Sequence, residues 1–166
     1  MKLAQIQMHV TADKAANLRH AEDLLRSVRG ADMAILPEMF CCPYDNACFR
    51  AYGEPEGGPA YQMLSRAARE LNLWLVGGSL PELDGDKIYN TAYVFDPTGT
   101  CVARHRKMHL FDIDVQGSQS FRESATLSPG NDITLFDTPY GRMGLCICFD
   151  MRFPELARIM SQDGAW

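Results

Sequence analysis

Three side chains of reactive type each follow an apolar run of this sequence. Glu38 comes after DMAIL-Pro, Lys107 ends CVARHRK, and Cys148 ends GRMGLCIC. In open α/β sheets, working residues gather just beyond the carboxyl ends of strands. Burial beside such a run can shift the pKa of a carboxyl, an amine or a thiol. These positions therefore offer a nucleophile, a base and a cation.

Cys148 is the strongest candidate of the three. It precedes a helix that Pro154 opens, and a helix N-terminus favours a thiolate. A free thiol, with a pKa of about 8.5, is only a few per cent ionised at about pH 7, so it needs a base or a cation, which Glu38 and Lys107 can supply. Position alone also fits a solvated loop carboxylate at Glu38 and a solvated strand end at Lys107. For Cys148 it favours a buried core cysteine.

Histidine is the usual partner of a catalytic cysteine, and the chain offers four: His9, His20, His105 and His109. None lies in the local pattern of a Cys–His protease. His20 falls in the middle of a predicted helix, and we expect its side chain to lie at the protein surface. His109 is close to Lys107 in sequence, so we expect it to line the same pocket in a positioning role.

The hydrophobic patterns predict an α/β chain that can position these residues. Apolar runs and alternation predict strands at these segments: 2–8, 32–36, 73–80, 87–96, 100–107, 132–138 and 141–148. Capping residues and helical spacing predict helices with these limits: Thr11 or Asp13 to Gly30, 60–71, and 153–164. Segment 39–57 is predicted to be irregular. Segment 112–131 is predicted to be a polar loop, and loops of this length are usually functional. The pattern predicts mixed sheets with helices packed outside.

Composition and charge narrow the classes of function. The 166 residues are 46% apolar and 22% charged, which is typical of one globular domain with its own core. Net charge is −5, so we expect neither nucleic-acid binding nor docking to anionic membranes. The N-terminus lacks the apolar region of a secretory signal, so we expect a cytoplasmic protein with reduced cysteines. The cysteine spacing lacks the pairs of a zinc site, so we expect no metal.

Three ordered segments resemble the signature segments of the nitrilase, or carbon–nitrogen hydrolase, superfamily. They are ILPEMF (35–40), HRKMHLFDIDV (105–115) and GLCICFDMRFPEL (144–156), and they centre on a Glu, a Lys and a Cys in that order. Each segment alone is a weak match, whereas the ordered set is specific. The resemblance runs over the whole chain. The stretches GGSLPELDGDKIYNTAYVFDPTGT, HLFDIDVQG and FRESATLSPGN are most similar to the omega-amidase branch.

The resemblance implies roles for five positions. Cys148 becomes the nucleophile and Glu38 the general base, while Lys107 becomes the cation that faces the tetrahedral oxyanion. Glu123 matches a second glutamate that often accompanies this triad. The backbone N–H of Phe149 becomes a further oxyanion donor. The family's chemistry implies no metal ion and no organic cofactor.

The resemblance also implies a substrate class. Omega-amidases hydrolyse the terminal amide of 2-oxo dicarboxylic monoamides through a cysteine thioester and release ammonia. Tyr44 resembles a residue of their substrate loop, and Arg152 is a candidate partner for the far carboxylate. Arg152 fits a structural ion pair with Asp150 or Glu155 equally well. Three alternatives stay open: an N-carbamoyl amine substrate, a deaminated-glutathione-type substrate, and a non-catalytic module or inactive fragment.

The family's domain is a four-layer α-β-β-α sandwich that forms homo-oligomers. By resemblance, 1–166 is a single such domain that lacks its C-terminal part, with Ala165 and Trp166 beginning a further strand. We expect this chain alone to be unstable and poorly active, because an incomplete sheet exposes strand edges and apolar surface. Most cysteines are expected to be small buried residues. In a strand, Cys146 and Cys148 would share a face. The unusual thiols Cys41, Cys42 and Cys146 receive no catalytic role.

Overall fold

A six-stranded mixed sheet forms the centre of the molecule. The computed structural model describes residues 1–115 and 120–165. The six strands have these bounds: β1 Leu3–Gln5, β2 Met33–Ile35, β3 Trp74–Val76, β4 Leu80–Asp84, β5 Lys87–Phe95 and β6 Cys101–Arg106. They lie in the order β1-β2-β3-β5-β4, and β6 also pairs with β5. Strand β6 runs in the direction of β2 and β3, because β5 is antiparallel to both β3 and β6. The carboxyl ends of β2, β3 and β6 therefore meet at one edge.

Two amphipathic helices cover one face of this sheet. Helix α1 (Lys14–Ser27) begins after Asp13, whose side chain caps it, and α3 (Pro59–Leu71) carries proline in its first turn. Both helices confirm the sequence prediction. Their apolar sides and the sheet share a cluster with these fully buried members: Ala21, Leu25, Leu64, Leu75 and Phe95. No helix within residues 1–115 and 120–165 is long and apolar enough to cross a membrane.

A hairpin covers the opposite face of the sheet. Strands β9 (Thr134–Thr138) and β10 (Gly141–Leu145) pair antiparallel, as predicted. They share a second apolar cluster with the sheet, whose buried members are these: Met33, Val76, Ala92, Val94, Phe136, Leu145 and Ile147. Helix α4 (Pro154–Gln162) lies outside the hairpin, where Met160 packs against Gly144. The succession helix, sheet, sheet, helix confirms the mixed α/β fold with outer helices.

Segment 39–57 differs from the irregular structure predicted for it, since it contains a short helix. Helix α2 (Asn46–Tyr52) begins after Asp45, whose carboxylate accepts the Ala47 N–H at 2.8 Å. Only Phe49 of this helix is buried. One buried residue makes no periodic pattern, so the sequence gives no helical signal here.

Two further segments contain more separate strands than predicted. The predicted strand 73–80 stops at Val76, and the chain resumes as β4, which forms a hairpin with β5. The loop 112–131 holds another hairpin, made by these strands: β7 Asp112–Asp114 and β8 Ser120–Arg122. Residues 116–119 and Trp166 lie outside the described residues, so the expectations that fall on them stay predictions.

Candidate active site

Glu38 lies in the turn that follows β2, and the neighbouring chain fixes that turn. A Cβ atom at Gly78 would lie 2.1 Å from the Pro37 carbonyl oxygen, so only glycine permits this approach. The Ser79 hydroxyl accepts the Met39 N–H at 3.0 Å. Met39 itself has a φ of 52°, a left-handed conformation that costs about 1–2 kcal/mol for a residue with a side chain. The carboxylate of Glu38 is thus held by a strained, tightly packed turn.

Lys107 follows β6 directly and is fully buried. Its backbone N–H donates to the Asn90 carbonyl at 2.8 Å, and its own carbonyl accepts the Gly130 N–H at 2.9 Å. Its ammonium lies 2.9 Å from Glu38 Oε1 and 2.9 Å from Glu123 Oε2. Burial alone would lower the pKa of Lys107, but the two carboxylates outweigh burial and raise that pKa. The amine therefore stays charged.

Glu123 is also fully buried, in a single 3₁₀ turn that directly follows β8. Besides the ammonium of Lys107, it accepts the Tyr44 hydroxyl at 2.6 Å and the Phe111 N–H. Burial and then this carboxylate raise the pKa of Tyr44, so the phenol stays a donor. With these three donors in place, Glu123 orients the lysine and leaves Glu38 as the carboxylate exposed to a substrate.

Cys148 opens into a cavity of about 350 Å³. The cavity is lined by these residues: Glu38, Tyr44, Phe111, Cys148, Phe149, Met151 and Arg152. Cys148 is the first residue of a 3₁₀ turn, Cys148–Arg152, and has a φ of 46°. Left-handed backbone at a residue other than glycine concentrates at functional sites, where the surrounding structure enforces it. The structure thus brings the thiol and the Glu38 carboxylate to one cavity.

The thiol of Cys148 is held in its neutral form. Burial, the charge of Glu38 and a hydrogen bond with Glu38 raise its pKa to about 11, and Lys107 offsets only part of this rise. The sequence suggested that a helix N-terminus favours the thiolate, whereas burial and the charge of Glu38 favour the thiol. A neutral thiol needs a base at the moment of attack, and Glu38 is the carboxylate within reach.

Asp150 links the turn of the nucleophile to the segment after β6. One oxygen of this buried carboxylate accepts the His109 N–H at 2.8 Å. The other accepts the Ile147 N–H at 3.0 Å and lies 3.0 Å from Nε2 of His105. Burial opposes ionisation, yet these donors outweigh it and lower the pKa of Asp150 to about 2. Sequence reasoning considered Asp150 only as a partner of Arg152.

The remaining cavity residues lie where the sequence places them. Tyr44 and Arg152 line the cavity with Cys148. Arg152 is exposed, and within the described part of the chain its guanidinium forms no ion pair, neither with Asp150 nor with Glu155. Over the same residues the backbone N–H next to the nucleophile, that of Phe149, has no recorded acceptor. It is therefore available to a developing oxyanion.

His109 does not share this cavity, contrary to expectation. Its ring stacks on Phe153 with centroids 3.7 Å apart, and its Nδ1 lies 2.8 Å from Asp150. It lines a separate cavity with Leu156 and Ile159. The chain turns away after Lys107, so closeness in sequence does not become closeness to the thiol.

Asn90 contacts the Glu38 carboxylate, and sequence reasoning missed it. Its side-chain amide donates to Glu38 Oε1 at 2.8 Å. Alternation along β5 places Asn90 in one row with Ile88, Ala92 and Val94, which are all buried. A single amide in an apolar row is the signal that could have revealed it.

The other cysteines are free thiols outside this arrangement. Cys41 and Cys42 are buried as expected, and burial raises the pKa of both to about 12. Cys146 is exposed instead. Since β10 ends at Leu145, Cys146 does not share a strand face with the nucleophile, contrary to prediction. Within residues 1–115 and 120–165, no three His, Cys, Asp or Glu side chains cluster as metal ligands.

Known proteins are similar to this chain over nearly its whole length. The carbon–nitrogen hydrolase family model matches residues 2–166. The chain is 48% identical over 165 residues to omega-amidase NIT2 from Danio rerio and 50% identical to omega-amidase NIT2 from Bos taurus. Each match covers 98% of this chain but 60% of the relative. The chain therefore spans about 60% of the length of these curated relatives.

Solved structures show the same similarity in three dimensions. Saccharomyces cerevisiae Nit3, a member of branch 10 of the nitrilase superfamily, superposes with a TM-score of 0.87 at 40% identity, over 99% of this chain and 61% of that one. A mutant of the amidase from Nesterenkonia sp. AN1 superposes with a TM-score of 0.84 at 26% identity, over 99% and 64%. That mutant shows the result of Michael addition of acrylamide at its active-site cysteine.

Proposed function

The chain belongs to the carbon–nitrogen hydrolase family, and from that premise we propose that residues 1–166 form a hydrolase domain that cleaves the terminal amide of a small linear substrate through a thioester on Cys148. One observation carries the proposal. Cys148 and Glu38 line one cavity, while Lys107 contacts Glu38 from a buried position between two carboxylates. These groups are the nucleophile, the base and the cation that amide hydrolysis requires.

Formation of the thioester begins from the neutral thiol. Glu38 takes the proton from Cys148 as Sγ attacks the amide carbon. Negative charge then develops on the carbonyl oxygen, which the Phe149 N–H stabilises. The ammonium of Lys107 has three N–H donors, two of which engage Glu38 and Glu123. In this mechanism the third donor is assigned to the oxyanion. Loss of one oxyanion donor typically lowers kcat about 10²–10³-fold.

Breakdown of the tetrahedral intermediate returns the proton. Protonated Glu38 donates it to the amide nitrogen as the carbon–nitrogen bond breaks, and ammonia leaves. Water then enters, and Glu38 takes one of its protons as the oxygen attacks the thioester carbon. The carbon–sulfur bond then breaks, Glu38 returns the proton to Sγ, and the carboxylic acid leaves. A general acid and base of this kind contributes about 10²–10⁴-fold. Glu123 keeps Lys107 aimed at the oxyanion in both half-reactions.

The cavity supports a small substrate with a carboxylate at its far end. A volume of about 350 Å³ lies at the small end of the usual range for ligand pockets. Arg152 lines the cavity without an ion-pair partner among the described residues and can pair with an anion. Together with the similarity to omega-amidases, this favours a 2-oxo dicarboxylic monoamide. An N-carbamoyl amine or a deaminated-glutathione-type amide is the second candidate. We also propose that the protein is cytoplasmic and, as the resemblance implies, that it forms a homo-oligomer.

Ammonia release tests this function in the full-length protein encoded by the reading frame that contains this chain. We expect 2-oxosuccinamate to be hydrolysed faster than a panel of N-carbamoyl amines. Cys148→Ala should lower the rate at least about a thousandfold, because the thioester cannot form. Cys146→Ala removes an exposed thiol two positions earlier and should keep full activity.

Two results would contradict these assignments. Undiminished hydrolysis by Cys148→Ala would contradict the assignment of Cys148 as the nucleophile. A non-catalytic module would then be the better interpretation of this chain. A preference for N-carbamoyl amines, with carbon dioxide released in step with ammonia, would overturn the substrate class. Acrylamide supplies an independent probe, because the Nesterenkonia amidase carries its adduct at the active-site cysteine. Mass spectrometry should locate the adduct on Cys148.

A further inference from the structure

The two oxygens of the Glu38 carboxylate are not equivalent. Oε1 accepts the side-chain amide of Asn90 at 2.8 Å and the ammonium of Lys107 at 2.9 Å. Within residues 1–115 and 120–165 no other hydrogen-bond donor contacts Oε2, and Glu38 lines the same cavity as Cys148. One oxygen is therefore held by two donors, and the other is left to accept a proton.

Asn90 connects the base to the cation. Its side chain binds Glu38, while its backbone carbonyl accepts the Lys107 N–H at 2.8 Å. The residue is fully buried and does not line the cavity of Cys148. Any effect of Asn90 on the reaction must therefore pass through these two neighbours.

The side chain of Asn90 is retained at an energetic cost. Its Oδ1 is buried and has no hydrogen-bond partner, and burial of an unpaired acceptor destabilises a fold. Its neighbours on the same face of β5 are the apolar Ile88 and Ala92. An apolar side chain at this position would stabilise the fold better. Stability therefore does not explain the amide, whereas its hydrogen bond to Glu38 does.

We propose that Asn90 is a positioning residue for the general base, an inference that rests on the proposed function. Together with Lys107, it fixes Oε1 of Glu38 so that Oε2 faces Cys148. In the first step Oε2 takes the Sγ proton while the bond from sulfur to carbon forms. Because Oε1 stays occupied by its donors, the proton remains on Oε2 and is delivered to the leaving nitrogen as the carbon–nitrogen bond breaks.

Substitution by leucine tests the role, since leucine has the same branched shape and the same number of side-chain heavy atoms as asparagine and offers no donor. We expect Asn90→Leu to lower kcat about 10- to 100-fold, the value of a hydrogen bond to a charged group. KM should stay essentially unchanged, because Asn90 does not line the cavity. Loss of a donor favours protonation of Glu38, so the acidic limb of the kcat/KM profile should move to higher pH. Alkylation of Cys148 by acrylamide should slow as well.

The next residue in β5 provides a matched control. Thr91 is equally buried, and its hydroxyl donates to the Glu82 carboxylate at 2.6 Å from the opposite face of the strand. Thr91→Val therefore deletes a buried hydrogen bond to a carboxylate outside the site. It should lower Tm while it leaves kcat and the pH profile unchanged.

Asn90→Asp keeps the shape of the side chain and carries the test if the leucine variant fails to fold. It replaces the donor by a second negative charge beside Glu38, so we expect a larger loss of kcat and a larger shift of the acidic limb. Normal kcat and an unshifted profile in either folded variant would overturn the proposal, as would an equal loss of kcat in Thr91→Val. Full activity of Cys148→Ala would instead overturn the proposed function itself.

Discussion

Burial and the charges of neighbouring side chains together set the protonation state of the Cys148 thiol. Glu38 and Glu123 bring two negative charges to the site, and Lys107 brings one positive charge. This excess of negative charge, added to burial, raises the pKa of the Cys148 thiol to about 11. The nucleophile therefore rests with its proton in place. In the proposed mechanism, deprotonation accompanies the attack on the substrate.

Removal of the Glu38 charge tests this balance. We expect Glu38→Gln to lower the pKa of Cys148, because the carboxylate disfavours the thiolate and glutamine does not. Hydrolysis should nevertheless fall about 10²–10⁴-fold, because the base is lost. Mass spectrometry can follow alkylation of Cys148 by iodoacetamide as a function of pH. The matched variant Glu22→Gln, on α1, should leave both properties unchanged, and an unchanged or higher thiol pKa in Glu38→Gln would contradict the assigned cause.

The elements position the site through their ends. The residues after β2 and β6 meet at one edge because these strands run in the same direction, and each turn is held by contacts with the next segment. Glu38 depends on the close approach of Gly78 to Pro37. Cys148 depends on Asp150, which accepts the Ile147 N–H and closes the turn. Regular strands bring the chain to the edge, and irregular turns then orient the reactive atoms.

Alanine at Gly78 should disrupt this orientation. Its Cβ would meet the Pro37 carbonyl oxygen at 2.1 Å, so the turn that carries Glu38 must move. Gly85 is the matched control, because it has a similar φ of 58° and no atom within 4 Å of a Cβ. Gly85→Ala should cost only the strain of the left-handed backbone, about 1–2 kcal/mol, with normal kcat.

Urea unfolding and steady-state kinetics distinguish the two variants. Gly78→Ala should lose more free energy of unfolding than Gly85→Ala and should lose kcat as well. Equal kinetics in both variants would show that the close approach at Gly78 does not position Glu38.

Of the three apolar clusters among the described residues, two cover opposite faces of the central sheet. One joins α1 and α3 to the sheet, and the other joins the sheet to the β9–β10 hairpin. Leu145 of the second cluster also lines a cavity of about 100 Å³ together with Glu38 and Cys148. The second cluster therefore reaches the wall of a cavity that Glu38 and Cys148 also line.

Truncation in each cluster tests this division. Leu64→Ala and Leu145→Ala should each lower the free energy of unfolding by about 2–5 kcal/mol, because each leaves a cavity. Leu64 is a fully buried residue of α3 that does not line either cavity containing Cys148, so its variant should keep kcat. Leu145→Ala should lower kcat as well. A loss of kcat in the first variant, or none in the second, would argue against separate roles for the clusters.

The sequence by itself determined the order of the reactive residues, most of the elements and the family. Strand alternation and helical spacing are local properties, so α1, α3 and the β9–β10 hairpin follow from nearby residues. Short motifs around Glu38, Lys107 and Cys148 are local as well. Helix α2 was not predicted from the sequence, because only Phe49 of its seven residues is buried.

Only the tertiary structure decided how these residues act on one another. The contact of Lys107 with Glu38 joins residues 69 positions apart, and that with Glu123 joins residues 16 apart. The position of His109 outside the cavity, the hydrogen bond from Asn90 and the neutral state of the Cys148 thiol depend on distance and desolvation in the folded chain. Sequence spacing contains neither quantity, because Coulomb energy and burial depend on separation through space rather than along the chain.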